Sequence, residues 1–445
     1  MKKTWVLAVT TSVLTLSLMA CAGSDESTTA PVEGEWSGHL KVAMIGDVQM
    51  KDTTDPITGE KSRGLYVLKE EFERLYPGVT VDFVIMPWKN YVPNTQAMIA
   101  GKEADIFQMP GVNDFAAQGL LEPLQPFIDE DEFSLDHFSE NLVEGWMTLG
   151  PDDEELQIYA LPVLGDARFI QYDKQLFEEW GIEPLSEYPT VEEVMEKAKL
   201  MTGTNPVSGE QNYGIFFNGT HDTALTLTNV LEGFNGSWGE GYKWDEIEMN
   251  FDSPEMNHAL EWLKEMTDYM PEGFINGQGN EQWNTPDNNI AISINMGPGD
   301  IKSIYAQGLE DRFGIVQNFK NDEGKGGMFS GSPYAITNNS DNKELAWEYI
   351  KFSSSEFYQE YLWEEWGSTP VLANATEWES IQEKDLMIPV LEAMTTSITP
   401  RYPWASSQPR FILQSKLEGA LTDAQTVERA LEEAQQESTE WLNER

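Results

Sequence analysis

A single cysteine, Cys21, in 445 residues excludes a disulfide scaffold and leaves no thiol chemistry elsewhere in the chain. Histidine is nearly as scarce. His39, His137, His221 and His258 are widely scattered and form no H-E-x-x-H pair. There is no G-x-x-x-x-G-K-[ST] phosphate loop and no G-x-S-x-G nucleophile elbow, so nucleotide and acyl-transfer chemistry lose their usual sequence carriers. Positive charge is short as well: 28 Lys+Arg stand against 76 Asp+Glu, a formal net charge of −48. Such a surface repels phosphate backbones and anionic headgroups, which excludes nucleic acid as a partner. The carboxylates are spread along the whole chain, as in a solvated acidic coat suited to salty or alkaline surroundings. The runs 129–132 and 152–155 lack the alternating oxygen ligands and turn glycine of a calcium loop, so they read as solvated loops and no metal or cofactor is expected.

What remains is ample apolar material, 40% hydrophobic and 11% aromatic, enough for two or three domains with a large core. Met1-Lys2-Lys3 followed by the apolar stretch from Trp5 to Leu18 is too short for a permanent span and reads as an export signal. Leu18-Met19-Ala20-Cys21-Ala22-Gly23 resembles a bacterial lipobox, which implies a signal peptide over 1–20, lipidation of Cys21, and a cell-membrane anchor on the extracytoplasmic face. Residues 21–35 are a polar tether.

The mature chain alternates helix and strand. An apolar strand from His39 to Ile45 ends at Gly46. Leu65, Leu68, Phe72 and Leu75 line a helix stopped by Tyr76-Pro77-Gly78, and Val79, Val81, Phe83 and Ile85 alternate as the next strand. A helix from Asn94 to Gly101 and a strand from Ala104 to Met109 continue the pattern. This alternation predicts a mainly parallel sheet with ligand sites at strand C-terminal ends. A second α/β unit is expected from near residue 160. Asp173 and Thr190 read as helix N-caps, and Ser253 as another with Pro254 in the first turn. Gly326 to Thr337 reads as a glycine turn feeding a strand, followed by a helix whose Ala346, Tyr349 and Ile350 face inward. Fifteen tryptophans are many. Trp88, Trp238, Trp244, Trp283 and Trp404 fall in expected loops, where flat rings suit stacking on sugar faces while Asp, Asn and Arg bind the hydroxyls.

Several blocks together resemble the extracellular solute-binding proteins of ABC importers, the large sugar-binding family 1. They include Phe72 through Tyr76-Pro77-Gly78-Val79-Thr80-Val81, Ala104-Asp105-Ile106, and Ala117 through Leu124. Further on, Tyr159-Ala160-Leu161-Pro162, Ile170-Gln171-Tyr172-Asp173, Tyr188 through Glu193, and the Gly326–Phe352 stretch through Gly367-Ser368-Thr369-Pro370 match as well. The resemblance implies an α/β, two-lobed periplasmic-binding-protein-like (type II) fold with discontinuous lobes and a hinge. Lobe 1 would hold 36–155 and 298–345, lobe 2 156–297, and the helices of 346–445 would be shared between lobes and hinge. It implies no catalysis: a monomer captures a carbohydrate in the cleft by hinge closure and delivers it to membrane permease subunits. The ligand-binding candidates carried over are Asp47, Trp88, Asp105, Asp166, Arg168, Asn218, Trp283, Asn295, Gly331, Ser332, Arg401 and Trp404. Asp105 reads equally as a ligand contact or as a brace for strand and loop. Arg168 and Arg401 in one cleft would suggest an acidic sugar, unless each is spent in a salt bridge. The rival reading is a secreted glycoside hydrolase with paired carboxylates.

Overall fold

The computed structural model describes residues 36–444 apart from Asp47, 55–58, Glu60, Ser139, 220–222, 242–246, Lys325, 327–328 and 397–407. The signal, Cys21, the tether, Asp47, Trp244, Arg401 and Trp404 thus lie outside the described residues.

Strand β1 (Gly38–Ile45) is buried on both faces from Val42 onward, as a parallel strand covered by helices on each side must be. Helix α1 (Tyr66–Leu75) buries Leu68, Phe72 and Leu75. The chain then turns through Gly78 at φ +103°, where a Cβ would stand 2.8 Å from the Trp36 carbonyl oxygen. Strand β2 (Val79–Met86), helix α2 (Tyr91–Ala100) and strand β3 (Ile106–Gln108) complete the first β-α-β-α-β run. After short helices the chain enters β4 (Ala160–Ala167) and, one residue later, β5 (Phe169–Asp173).

Helix α3 (Lys174–Trp180) is N-capped by Asp173, whose Oδ1 accepts from the Gln175 and Leu176 amides. Helix α4 (Val191–Leu200) is capped by Thr190. There follow β6 (Gly203–Thr204), β7 (Gln211–Phe216), α5 (Thr223–Gly233) and α6 (Pro254–Met266), the last capped by Ser253. Next come β8 (Ile290–Met296), α7 (Pro298–Ala306), β9 (Phe313–Val316) and β10 (Phe329–Ile336). The C-terminal helices are α8 (Lys343–Ser353), α9 (Glu356–Trp366), α10 (Ile388–Thr396), α11 (Gln408–Leu421) and α12 (Val427–Asn443). In α8, Ala346, Tyr349 and Ile350 are fully buried, as the apolar spacing requires.

These strands form two five-stranded sheets, ordered β2-β1-β3-β10-β4 and β6-β7-β8-β5-β9. The chain passes from the first sheet to the second between β4 and β5 through Arg168 alone, and returns between β9 and β10 through residues 317–328.

Both expected lobe boundaries need correction. Residues 160–167, assigned from sequence to the second lobe, are β4, which pairs along its length with β10 of the first sheet. Residues 313–316, assigned to the first lobe, are β9, which pairs with β5 of the second. A strand's sheet is chosen by its pairing partner, and nothing local in an apolar run names that partner. Helix α8 packs on β1 and β10, α11 and α12 pack on α5 and α6, and α10 touches both β4 and β9.

Candidate functional site

Strand directions decide which ends face each other. β1, β2 and β3 run parallel, and β10 runs against both β3 and β4, so the C-terminal ends of β1 to β4 and the start of β10 share one edge. In the second sheet Met296 pairs with Phe169 and Val316 with Ile170, while β7 runs parallel to β8. The ends of β7, β8 and β9 therefore gather around the start of β5. Because one residue joins β4 to β5, the two edges face each other across Arg168.

The arrangement gathers Trp88, Asp166, Arg168, Asn218, Asn295, Gly331 and Ser332 at those facing ends. The Arg168 guanidinium donates to Asp166 Oδ2 at 2.7 Å and to the Asn295 carbonyl oxygen at 3.3 Å. Gly297 lies against this pair: a Cβ there would stand 3.5 Å from Arg168 Nη1 and 3.7 Å from Asp166 Oδ1. Its amide donates to Asp300 Oδ2 at 3.0 Å at the start of α7. Burial pushes the Asp300 carboxyl up, opposed by that amide and by the nearby Arg168 charge. Asn295 adopts φ +59° and is 8% exposed, and its Oδ1 accepts from Asn229 Nδ2 on α5 at 2.8 Å. Its own Nδ2 has no partner among the described residues, and neither has the Ser332 hydroxyl on a residue 6% exposed. Gly331, opposite Gly165 in the β10–β4 ladder, has φ +148°.

On the first sheet's edge, Trp88 is 51% exposed and its indole lies on Gly46, where a Cβ would sit 3.2 Å from Nε1. Trp88 meets Tyr91 edge-on at 5.7 Å, and Tyr91 meets Phe411 at 6.4 Å. Phe411 rides on α11, a helix of the second sheet's layer, whose Gln414 Oε1 accepts from the Ala224 amide at the start of α5. An aromatic row thus crosses from one sheet's edge to the other's helices.

Two candidates lie elsewhere. Asp105 precedes β3 at the opposite edge of the first sheet. Its oxygens accept from the Lys41 amide at 3.0 Å, Ser340 Oγ at 2.7 Å and Asn342 Nδ2 at 3.1 Å, so it braces strand and loop. Trp283 is a core residue, 8% exposed and edge-on to Phe313 at 5.4 Å. Trp238, also expected in a loop, is fully buried against Phe251. The acidic runs have structural work: Asp131 accepts from Trp347 and Lys351, and Asp153 from the Gly150 amide and the Tyr159 hydroxyl. No His/Cys/Asp/Glu group able to hold a metal occurs among the described residues, and no described helix is long and apolar enough to cross a membrane.

Asn229, Asp300, Tyr91, Phe411 and Gln108 were not singled out from the sequence. Gln108 carried a signal, a polar residue closing an apolar strand: it is 2% exposed and its Oε1 accepts from the Ile45 amide at 2.8 Å. The others sit on helices or turns that look ordinary until the sheets face each other.

A family model described as bacterial extracellular solute-binding protein matches residues 58–360. Among solved structures, the sugar-binding protein MalE of Xanthomonas citri superposes with a TM-score of 0.73 at 17% identity, covering 92% of this chain and 98% of that one. An ABC transporter solute-binding protein of Agrobacterium radiobacter K84, in complex with ribitol, gives 0.70 at 22% identity over 93% and 100%. At these identities the likeness shows the fold, the two-lobed type II arrangement with discontinuous lobes and a hinge. A curated relative from Brucella abortus (strain 2308) is 31% identical over 142 residues, so the match spans 31% of this chain and only 33% of that relative.

Proposed function

This chain belongs to the bacterial extracellular solute-binding protein family, and from that premise we propose that it is the extracytoplasmic capture component of an ABC importer for a carbohydrate, an oligosaccharide in particular. The observation that carries the reading is the meeting of both sheets' strand ends at Arg168, where Asn295 Nδ2 and Ser332 Oγ are left without protein partners and the same edge of the first sheet carries a half-exposed Trp88. Hydrogen-bonding groups that stay accessible at a cleft and are not spent on protein partners can serve a ligand's hydroxyls. Indole faces stack on the apolar faces of sugar rings. The sugar touches both edges, and its higher affinity for the closed arrangement shifts the population about the Arg168 crossing. Binding partners named for structural neighbours, among them ribitol, D-mannitol and maltose, support this class. In this reading Cys21 carries the lipid that holds the protein at the membrane, and the closed monomer docks on the permease.

The test is a thermal-shift and tryptophan-fluorescence screen of purified protein against mono- and oligosaccharides, with reducing ends assayed in parallel. Binding without turnover is expected, and it is lost in Trp88→Ala. Release of reducing ends from the bound sugar would establish the hydrolase reading instead. Cys21→Ser should release the protein from the membrane fraction.

A further inference from the structure

We propose that the cleft selects uncharged polyhydroxy compounds and rejects sugar acids, a selectivity built from Asp166, Arg168 and Asp300. The proposal rests on the carbohydrate reading above and deepens it.

A carboxylate on a ligand needs a positive partner that is still available, since leaving an ion in a poorly solvated site without one costs several kcal/mol. An arginine at the crossing of the two sheets would ordinarily be that partner, because its planar fork matches a carboxylate. Here both terminal nitrogens of the fork are already engaged. Nη2 donates to Asp166 at 2.7 Å and Nη1 to the Asn295 carbonyl oxygen. The ion pair is largely sheltered, with the Arg168 side chain 19% exposed and that of Asp166 33%. On its other side Gly297 links the pair to Asp300, which accepts from the Gly297 amide and from Asn284 Nδ2 at 3.2 Å and lies within the field of Arg168.

One guanidinium is therefore paired with the Asp166 carboxylate and has the Asp300 carboxyl close by across Gly297. With Asp300 ionised the cluster carries a net negative charge, and with Asp300 protonated it is neutral. In neither state is it positive. Three other described cations come near these elements, and none is shown in contact with the Asp166–Arg168 pair: Lys302, Lys89, and Arg410, whose guanidinium lies 5.8 Å from the Phe411 ring centroid. Lys302 donates to the Glu365 carbonyl oxygen and Ser62 Oγ, and Lys89 beside Trp88 is exposed, where water screens it. The chain's net charge of −48 adds long-range repulsion of anions.

Hydroxyl groups meet the same surface on better terms. A hydroxyl both donates and accepts, so it can donate to Asp166 while accepting from Asn295 Nδ2. Ser332 Oγ serves either role. The Arg168 cluster thus offers mixed donors and acceptors with no surplus positive charge among the described residues that form it, a description that fits a polyol or neutral sugar.

The experiment uses pairs that differ only by a CH2OH or its oxidised carboxylate: D-mannitol with D-mannonate, D-glucose with D-glucuronate, and maltitol with maltobionate. Affinities are measured by titration calorimetry in about 1 M NaCl, where the screening length of about 3 Å removes the long-range repulsion and leaves the local site. In each pair that binds, the neutral member should be at least about tenfold tighter. Asp166→Asn releases the Arg168 charge and should improve the acid by about tenfold relative to its neutral partner. An acid that binds wild type as tightly as its neutral partner overturns the selectivity while leaving carbohydrate binding intact. Binding of neither member of any pair is a different failure, which overturns the carbohydrate reading itself and this proposal with it.

Discussion

Asn229 on α5 donates its side-chain amide to Oδ1 of Asn295, 2.8 Å away, and so fixes the orientation of the left-handed residue near the end of β8. The contact joins helix to strand end, and by fixing Oδ1 it sets where the Asn295 Nδ2 donor stands. Asn229→Leu should weaken binding of whichever neutral saccharide the screen identifies by about tenfold and cost about 1–3 kcal/mol of stability, because Oδ1 is left buried without a donor. Calorimetric titration and urea unfolding of the same preparation check both. Asn229→Ala with intact affinity would show that Asn295 holds its orientation unaided.

Gly331 stands at φ +148° with its α-carbon in the β10–β4 ladder, and a Cβ there would lie 1.8 Å from the Leu164 carbonyl oxygen. Neither the dihedral nor the space admits a side chain. Gly331→Ala should therefore destabilise the protein by about 2 kcal/mol or more, read as a lower denaturant midpoint. Gly299→Ala, where no heavy atom lies within 4 Å of the added carbon, is the matched control and should be far milder.

Asp173 has no exposed side-chain surface and is bound by Arg312 at 2.7 Å and by Asn288 Nδ2 at 2.7 Å while it caps α3. Arg312→Met strands a buried carboxylate. The expected loss is about 3–5 kcal/mol, the range for breaking a buried pair from one side. Replacing both, as Asp173→Asn with Arg312→Met, should recover part of it in a double-mutant cycle.

The hydrogen bond from Lys351, then that from Trp347, hold the Asp131 carboxyl below its ordinary value. A carboxyl with a depressed native pKa contributes stability that is present above the unfolded pKa and lost as pH falls through the native one. Wild type should therefore lose more stability on acidification than Asp131→Asn, in which the group no longer titrates. Thermal melts of both proteins from neutral to acid pH check the sign. Parallel curves would remove Asp131 from the acid limb.

The elements themselves were legible in the sequence, because apolar period and caps are local. The α6 helix, for instance, runs from Pro254 to Met266 with Ser253 as its cap and Pro254 in its first turn, as the sequence indicates. Composition alone likewise determined the acidic surface, the absence of disulfides and the lack of the familiar nucleotide and nucleophile motifs. Tertiary structure decided which sheet each strand joins, since β4 and β9 are apolar runs whose partners lie far along the chain. It also decided which tryptophans are core: Trp238 and Trp283 resemble Trp88 in their loop settings, yet only packing from other elements covers them. Arg168 shows the division most clearly. The sequence marks it as a rare cation beside Asp166, but only the facing of two sheets across that one residue brings Asn295, Gly297 and Asp300 around it and sets the sign of the charge a ligand would meet.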